Sequence, residues 1–278
     1  MATYITGDTH GNLKQIHSFC YKMKTTTDDT LVILGDVGIN YFNTEQEKKA
    51  KAKYNNFGIT MLCIHGNHEE RPFNIPSYKT KKWKGGIVYY EEEYPNILFA
   101  KDGEIYDLDG KKCIVIGGAY SVDKWFRIFK AYAVCQYFMD ERLSDTEYEN
   151  AILYLRGEKS DNDGTIRESL SKAYELLPQG YCTWFKDELP SKEIKMFVES
   201  QLANNQIDVV FSHTCPEKYI PKEMFLKDID QSSVDNSVEM WLDKIENNLK
   251  YQKWYCGHWH TDKTTEKMTF LFKTFCEL

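Results

Sequence analysis

Hydrophobic residues in this chain fall into short runs that stop at a glycine followed by a polar side chain, and these runs alternate with stretches of helical period. Residues 3–6 alternate toward Gly7-Asp8-Thr9-His10-Gly11, the pattern of a strand that breaks into a polar loop. Asn12 then caps a helix whose apolar positions, Leu13, Ile16, Cys20 and Met23, recur at helical spacing. A continuously apolar run at 30–34 ends in Gly35-Asp36, and Thr44 with Glu47 forms a capping box for a helix reaching Phe57. The third run, Met61-Leu62-Cys63-Ile64-His65, hands over to Gly66-Asn67-His68-Glu69-Glu70. Two β-α-β crossings in succession predict parallel neighbours with helices packed over the sheet.

The middle of the chain changes character. Residues 96–100, 104–108 and 112–116 are short strand patterns, and Asp109-Gly110 between the last two is a hairpin signal. This part is expected to be antiparallel and to form a second sheet packed on the first. Gly117-Gly118-Ala119 closes it. From Ser121 to Gln179 the pattern is polar and aromatic, with helices expected at 124–139, 145–156 and 166–177 and a loop at Ser160-Asp161-Asn162-Asp163-Gly164. It interrupts the strand rhythm and is read as an insertion at about 121–180, either a surface elaboration or a lid, in a chain that is otherwise one domain over 1–278. Its aromatic residues, Trp125, Phe126, Phe129, Tyr132, Tyr137 and Phe138, suit either its own core or the stacking of a nucleobase. The rhythm then returns. Ser191 caps a helix with Ile194, Phe197, Val198, Gln201 and Leu202 on one side, and a strand at 207–211 leads to Ser212-His213. A further helix turns Val238, Trp241, Leu242, Ile245 and Leu249 inward. A strand at Lys253–Cys256 ends in Gly257-His258-Trp259-His260, and 268–273 adds a terminal strand.

Composition narrows the class. With 278 residues, 42% hydrophobic and 28% charged, the chain is an ordinary globular protein with length enough for a large core. No apolar run approaches the roughly 20 residues needed to cross a bilayer, and the first residues enter a strand without the basic and apolar regions of a signal peptide, so a cytoplasmic protein is expected. The eight cysteines show no paired spacing and read as small buried hydrophobes in a reducing compartment. A net charge of −7 argues against broad binding to nucleic acid, although it leaves room for a locally positive pocket.

Candidate chemistry gathers where the strands end. Asp8 and His10, Asp36, Asn67 and His68, His213, and His258 with His260 all stand at such positions, and these include five of the seven histidines. Open α/β sheets keep their sites outside the carboxyl ends of their strands. In extended backbone, a spacing of two sets Asp8 and His10 on one face, and likewise His258 and His260, so each pair can chelate. Imidazole, carboxylate and an amide oxygen together suit Mn, Fe or Zn better than calcium. His17 is expected at the surface or its boundary, and His65 in the core or behind the ligands.

Taken in order, Gly-Asp-Thr-His-Gly, Leu-Gly-Asp, Gly-Asn-His-Glu, Ser-His-Thr-x-Pro and Gly-His-Trp-His resemble the calcineurin-like metallophosphoesterase superfamily over residues 7 to 260. The resemblance implies an α/β fold, a four-layer α/β/β/α sandwich of two mixed sheets, here with a helical insertion. It implies two divalent ions, Mn foremost, with Asp8, His10, Asp36 and His260 on one, Asp36, Asn67, His213 and His258 on the other, and His68 as the catalytic histidine. Two such ions about 3.5–4 Å apart can share a hydroxide for in-line attack on phosphorus. His68 would then act as general acid toward the leaving oxygen, a role worth about 10²–10⁴-fold. In the phosphoprotein-phosphatase branch the second motif continues with an Asp and a phosphate-gripping Arg, whereas Ile39 and Asn40 stand here. Arg71 and Arg127 are candidates for the missing guanidinium.

The implied function is hydrolysis of phosphoric esters, monoester or diester, with a nucleotide among the candidate substrates. Two alternatives stand beside it: a metal-binding or metal-free scaffold that keeps the fold without the reaction, and a nuclease, which the acidic composition disfavours.

Overall fold

The computed structural model describes residues 1–41, 44–178, 180–226, 229 and 231–278. Gln179, where the insertion was expected to end, lies outside the described residues. The chain forms two compact units. The first comprises Met1–Tyr120, Lys186–Phe225 and Asp235–Leu278, and the second comprises Ser121–Phe185 and Leu226–Val234.

In the first unit β1 (Thr3–Thr6), β2 (Thr30–Ile33) and β3 (Thr60–Cys63) alternate with α1 (Leu13–Met23) and α2 (Glu45–Asn55). The strands β4 (Lys79–Trp83), β5 (Gly86–Tyr90), β6 (Ile97–Ala100), β7 (Ile105–Leu108) and β8 (Lys111–Ile116) follow. The second unit contains the helices α3 (Lys124–Cys135), α4 (Asp145–Leu155) and α5 (Thr165–Leu176). The first unit resumes with α6 (Lys192–Asn204), β9 (Val209–Ser212), α7 (Ser237–Asn248), β10 (Lys253–Cys256), β11 (Lys263–Thr264), β12 (Met268–Phe270) and β13 (Phe275–Glu277). These strands make two mixed sheets, one ordered β13-β1-β2-β3-β6-β5-β4 and the other β11-β12-β10-β9-β8-β7. Both have a parallel centre: β1, β2, β3 and β6 in the first, and β12, β10, β9 and β8 in the second.

Side-chain alternation explains the layers. In β2 and the residue after it, Val32 and Leu34 point into a core shared with Val115, Phe211 and Leu108 of the other sheet. Leu31 and Ile33 point the opposite way, onto Ile16 and Cys20 of α1 and Tyr54 of α2. The second sheet does the same, with Ile116, Val210 and Trp254 packing against Val238, Trp241 and Leu242 of α7 and Val198 of α6. A strand covered on both faces must be apolar at every position, which accounts for the continuous runs. The result is the expected four-layer α/β/β/α sandwich.

Several expectations are corrected. Residues 97–100 do not join the second sheet: β6 lies in the first, parallel to β3 and antiparallel to β5. The β4–β5 hairpin, β11 and β13 lie outside the strands that the sequence pattern predicts. The helix expected over 124–139 ends at Cys135 and tightens into a 3₁₀ turn over Gln136–Phe138. The terminal strand stops at Phe270 rather than residue 273. Met23, expected on the buried side of α1, is exposed, while Ile16 and Cys20 are buried. On α6, only Val198 of the five expected inward positions is fully buried. Glu47 does not close a capping box: Thr44 accepts from Glu47 N, but the Glu47 carboxylate accepts from Asn40 N and Tyr41 N instead.

The second unit has its own small cores. Ile128, Tyr132, Ala173 and Trp184 form one, and Ala151, Ile166 and Leu170 the other. Of its aromatic residues, Tyr132 is buried and Trp125 and Phe129 pack against these cores, whereas Phe126, Tyr137 and Phe138 are exposed. All eight cysteines are free, and seven are buried. Among the described residues no helix is long and apolar enough to cross a membrane.

Candidate metal centre

Five strand ends from two sheets converge on one cluster. Asp8 and His10 follow β1, Asp36 follows β2, Asn67 and His68 follow β3, His213 follows β9, and His258 and His260 follow β10. Asp8, His10 and His260 present ligand atoms within 4.8 Å of one another, and so do Asp8, Asp36 and His213. His10 Nε2 lies 2.9 Å from His260 Nε2, which is 3.3 Å from Asp8 Oδ2. Asn67 Oδ1 lies 2.8 Å from His213 Nε2 and 3.2 Å from His258 Nδ1. Asp36 Oδ1 is 3.7 Å from His213 Nε2.

The loops that carry these groups are held in demanding backbone conformations. His10, Asp36, His258 and His260 all have positive φ, between 43° and 62°. Non-glycine residues rarely adopt such values, and they persist where surrounding contacts over-determine them. Those contacts are backbone amides: His68 N donates to Asp36 Oδ1 at 2.9 Å, and His258 N donates to both Asp8 oxygens at 3.0 Å. Two glycines leave room for the carboxylates. A Cβ on Gly66 would overlap Asp36 Oδ1, and one on Gly257 would overlap Asp8 Oδ1.

The donor set fits a divalent cation, and His213 gives the clearest test. Its Nδ1 lies 2.7 Å from Leu34 O. A carbonyl only accepts, so Nδ1 carries a proton, and whenever the ring is neutral a lone pair is left on Nε2. That lone pair faces Asn67 Oδ1, another acceptor, at 2.8 Å. Two acceptors so close repel unless a positive charge lies between them. His10 Nε2 and His260 Nε2 lie 2.9 Å apart, close enough that at most one of them carries a proton.

Electrostatics point the same way. Burial opposes ionisation of Asp36, but the positive charge that His213, His68 and His10 carry when protonated, with the His68 amide, outweighs it and holds its pKa at about 2. Burial, together with nearby His213, pushes His258 well below its ordinary value, leaving a neutral ring with a lone pair to donate. His260 moves upward through its hydrogen bond to Asp8, against the effect of burial.

His68 is half-buried, with its ring centroid 6.0 Å from that of His10 and its Nε2 3.9 Å from Asp36 Oδ2. The two candidate arginines are placed differently. Arg71 is 3% exposed, donates from Nη1 to Asp102 Oδ2 at 2.6 Å and from Nε to Asp187 O at 2.8 Å. Arg127 lies in the second unit, where Nε pairs with Asp123 at 2.6 Å and Nη1 donates to Thr183 O at 3.4 Å. His17 is exposed beside Phe57 and His65 is buried.

The sequence carried no sign of three supporting groups. Glu69 is fully buried and clamps two of the loops, accepting from Gly66 N at 2.8 Å and Val37 N at 3.1 Å. It sits inside a motif read only for its Asn and His. Phe272 stacks on His260 at 4.5 Å. Behind the other imidazoles, Trp259 Nε1 donates to Thr214 Oγ1, which donates to Glu239 Oε1 at 2.7 Å. Because Glu239 lies 25 residues from Thr214 on a different element, no local pattern could pair them.

A two-sheet α/β sandwich with carboxylates and imidazoles converging from its strand ends defines the class of metal-dependent phosphoester hydrolases. The family model for calcineurin-like phosphoesterases matches residues 1–262, and the chain belongs to that family. No curated protein matches its sequence.

Proposed function

We propose that the protein hydrolyses a phosphoric ester, monoester or diester, with two divalent ions of which manganese is the first choice. The observation that carries this reading is the convergence of ligand atoms, those of Asp8, His10 and His260 and those of Asp8, Asp36 and His213 each within 4.8 Å of one another, beside Asn67 Oδ1 at 2.8 Å from His213 Nε2. Asp8, His10, Asp36 and His260 would hold one ion, and Asp36, Asn67, His213 and His258 the other. When bound, such ions supply charge neutralisation for the phosphoryl oxygens and a nucleophile at neutral pH.

The chain's own groups do the rest. The His68 amide fixes the Asp36 carboxylate, and the His258 amide fixes that of Asp8, so the acceptors are oriented before any ligand arrives. His68, half-buried beside the cluster, would give a proton to the leaving oxygen. Arg71 enters this reading as a brace rather than a phosphate grip, because Asp102 and Asp187 already occupy two of its nitrogens.

Hydrolysis of a chromogenic phosphate ester by the purified chain with Mn²⁺ tests the proposal. The His68→Ala variant should lose about 10²–10⁴-fold in turnover while elemental analysis still finds metal. Asp36→Asn should lose both metal and activity. Undiminished turnover in Asp36→Asn, or none in the wild type across metals and esters, would leave a scaffold that keeps the fold without the reaction.

A further inference from the structure

Two indoles and two hydroxyls interlock behind the imidazoles of the second sheet. Trp254 Nε1, on β10, donates to Ser212 Oγ at 2.6 Å, and the Ser212 hydroxyl donates to Thr214 O. Trp259 Nε1 donates to Thr214 Oγ1 at 3.2 Å, and the Thr214 hydroxyl donates to Glu239 Oε1 at 2.7 Å. Ser212 and Thr214 stand on either side of His213, and Trp259 stands between His258 and His260. Ser212, His213, Thr214 and Trp254 are fully buried, and Glu239, in the first turn of α7, is 3% exposed. The two loops that carry the candidate donors of this sheet are therefore joined to each other and to α7 by side chains that are not themselves donors.

The direction of each bond shows what Glu239 does. An indole N–H only donates, and a hydroxyl carries a single hydrogen. With the Thr214 hydrogen directed at Glu239, the lone pairs of the same oxygen are left for the Trp259 indole. Without Glu239 the hydroxyl is free to turn, and the acceptor that Trp259 needs is no longer fixed. The loop has little tolerance for that. His258 and His260, on either side of Trp259, hold φ of 62° and 48°, values that need support from outside the loop. The Trp259 ring also meets the His258 ring edge to face, with centroids 5.2 Å apart, so the place of the indole sets that of the imidazole.

We propose that Glu239 is a positioning residue that acts through Thr214 and Trp259 to hold His213 and His258 in register for a shared cation. The inference rests on the two-ion reading given above. The ion assigned to Asp36, Asn67, His213 and His258 takes two of its four donors from the loops joined here, whereas the ion assigned to Asp8, His10, Asp36 and His260 takes one. Loss of the groups that orient a ligand typically lowers metal affinity by about 10–100-fold, and the loss should fall mainly on the first of these ions.

Calorimetric titration of the full chain with Mn²⁺, with elemental analysis after dialysis at fixed free Mn²⁺, tests the proposal. The wild type should hold two ions. Glu239→Ala and Thr214→Val should each weaken one of them by about tenfold or more and leave the other unchanged. Trp259→Phe, which keeps a ring and removes the N–H, should act in the same direction. Glu239→Gln, which keeps an acceptor at Oε1, and Thr214→Ser, which keeps the hydroxyl, should bind both ions as the wild type does. Two ions held as tightly in Glu239→Ala as in the wild type, with only the urea midpoint lowered, would make these bonds structural and overturn the proposal. Equal weakening of both ions would overturn it too, as would a loss in Glu239→Gln as large as that in Glu239→Ala. Fewer than two ions in the wild type would remove the ligand set itself, and this inference with it. If Glu239→Ala and Thr214→Val misfold, Trp259→Phe decides, since it alters a half-buried side chain by one donor.

Discussion

Arg71 and Asp102 form a buried pair, with both side chains about as enclosed as any in the core. An Arg on a substrate-facing surface can be removed with little effect on folding, but removal here leaves Asp102 charged and without its partner. Arg71→Ala is expected to lower stability by about 3–5 kcal/mol, measured as a shift in the urea midpoint. If it instead raises KM while the midpoint stays put, the guanidinium grips phosphate after all. Glu239 makes a second claim at this scale. Burial, only partly offset by the Thr214 hydroxyl, raises its pKa above the ordinary 4.5. Below that value it is protonated in both folded and unfolded chains, and its contribution to stability is complete. As pH rises past it, the unfolded chain releases the proton while the folded carboxyl resists, so stability falls until the raised pKa has been passed. Denaturation midpoints taken upward from pH 4.5 should show this decline, and Glu239→Gln should flatten it. An unchanged slope in the variant would place the titration elsewhere.

Helices α4 and α2 show what local pattern can and cannot disclose. Ser144 accepts from Glu147 N while the Glu147 carboxylate accepts from Ser144 N, a closed capping box at the start of α4. Ser144→Ala is expected to cost the second unit about 0.5–2 kcal/mol, read as faster amide exchange along α4 with β1 to β3 unaffected. The same four-residue pattern at Thr44 and Glu47 misled, because the Glu47 carboxylate found stronger work on Asn40 N and Tyr41 N. Capping is legible only where no tertiary donor competes for the acid. Strands follow a parallel rule. The runs before Asp8, Asp36, Asn67, His213 and His258 were plain because both their faces are covered. The β4–β5 hairpin escaped notice because β4, Lys79–Trp83, is mostly exposed and rich in lysine, and its turn is Lys84-Gly85 rather than an Asn-Gly or Asp-Gly pair. Which sheet a short strand joins is a long-range matter, and nothing in residues 96–100 distinguishes a parallel place beside β3 from an antiparallel one beside β7. The donors were legible because each ends a strand in sequence; Leu34 O, Glu69 and the Thr214–Glu239 bond were not, because their meaning arises only when distant segments meet.

At the scale of the whole molecule, the cluster draws on both sheets of the first unit: Asp8, His10, Asp36, Asn67 and His68 come from one, and His213, His258 and His260 from the other. A cation shared by these candidate donors would tie the two sheets together at their strand ends. A ligand that binds only the folded state stabilises by about 2.7 kcal/mol at 100 times its Kd. For a unit of this size that corresponds to a rise in Tm of about 5–10 °C. Scanning calorimetry with Mn²⁺ and again after chelation should show this rise, and it should be absent in Asp36→Asn. Amide exchange gives the finer test. Protection should increase at the ends of β1, β2 and β3 and equally at β9 and β10, while α3, α4 and α5, which carry none of the donors, should exchange at the same rate with and without metal. Protection confined to the first sheet would mean that His213 and His258 do not share the ion, and the second half of the proposed ligand set would fall with it.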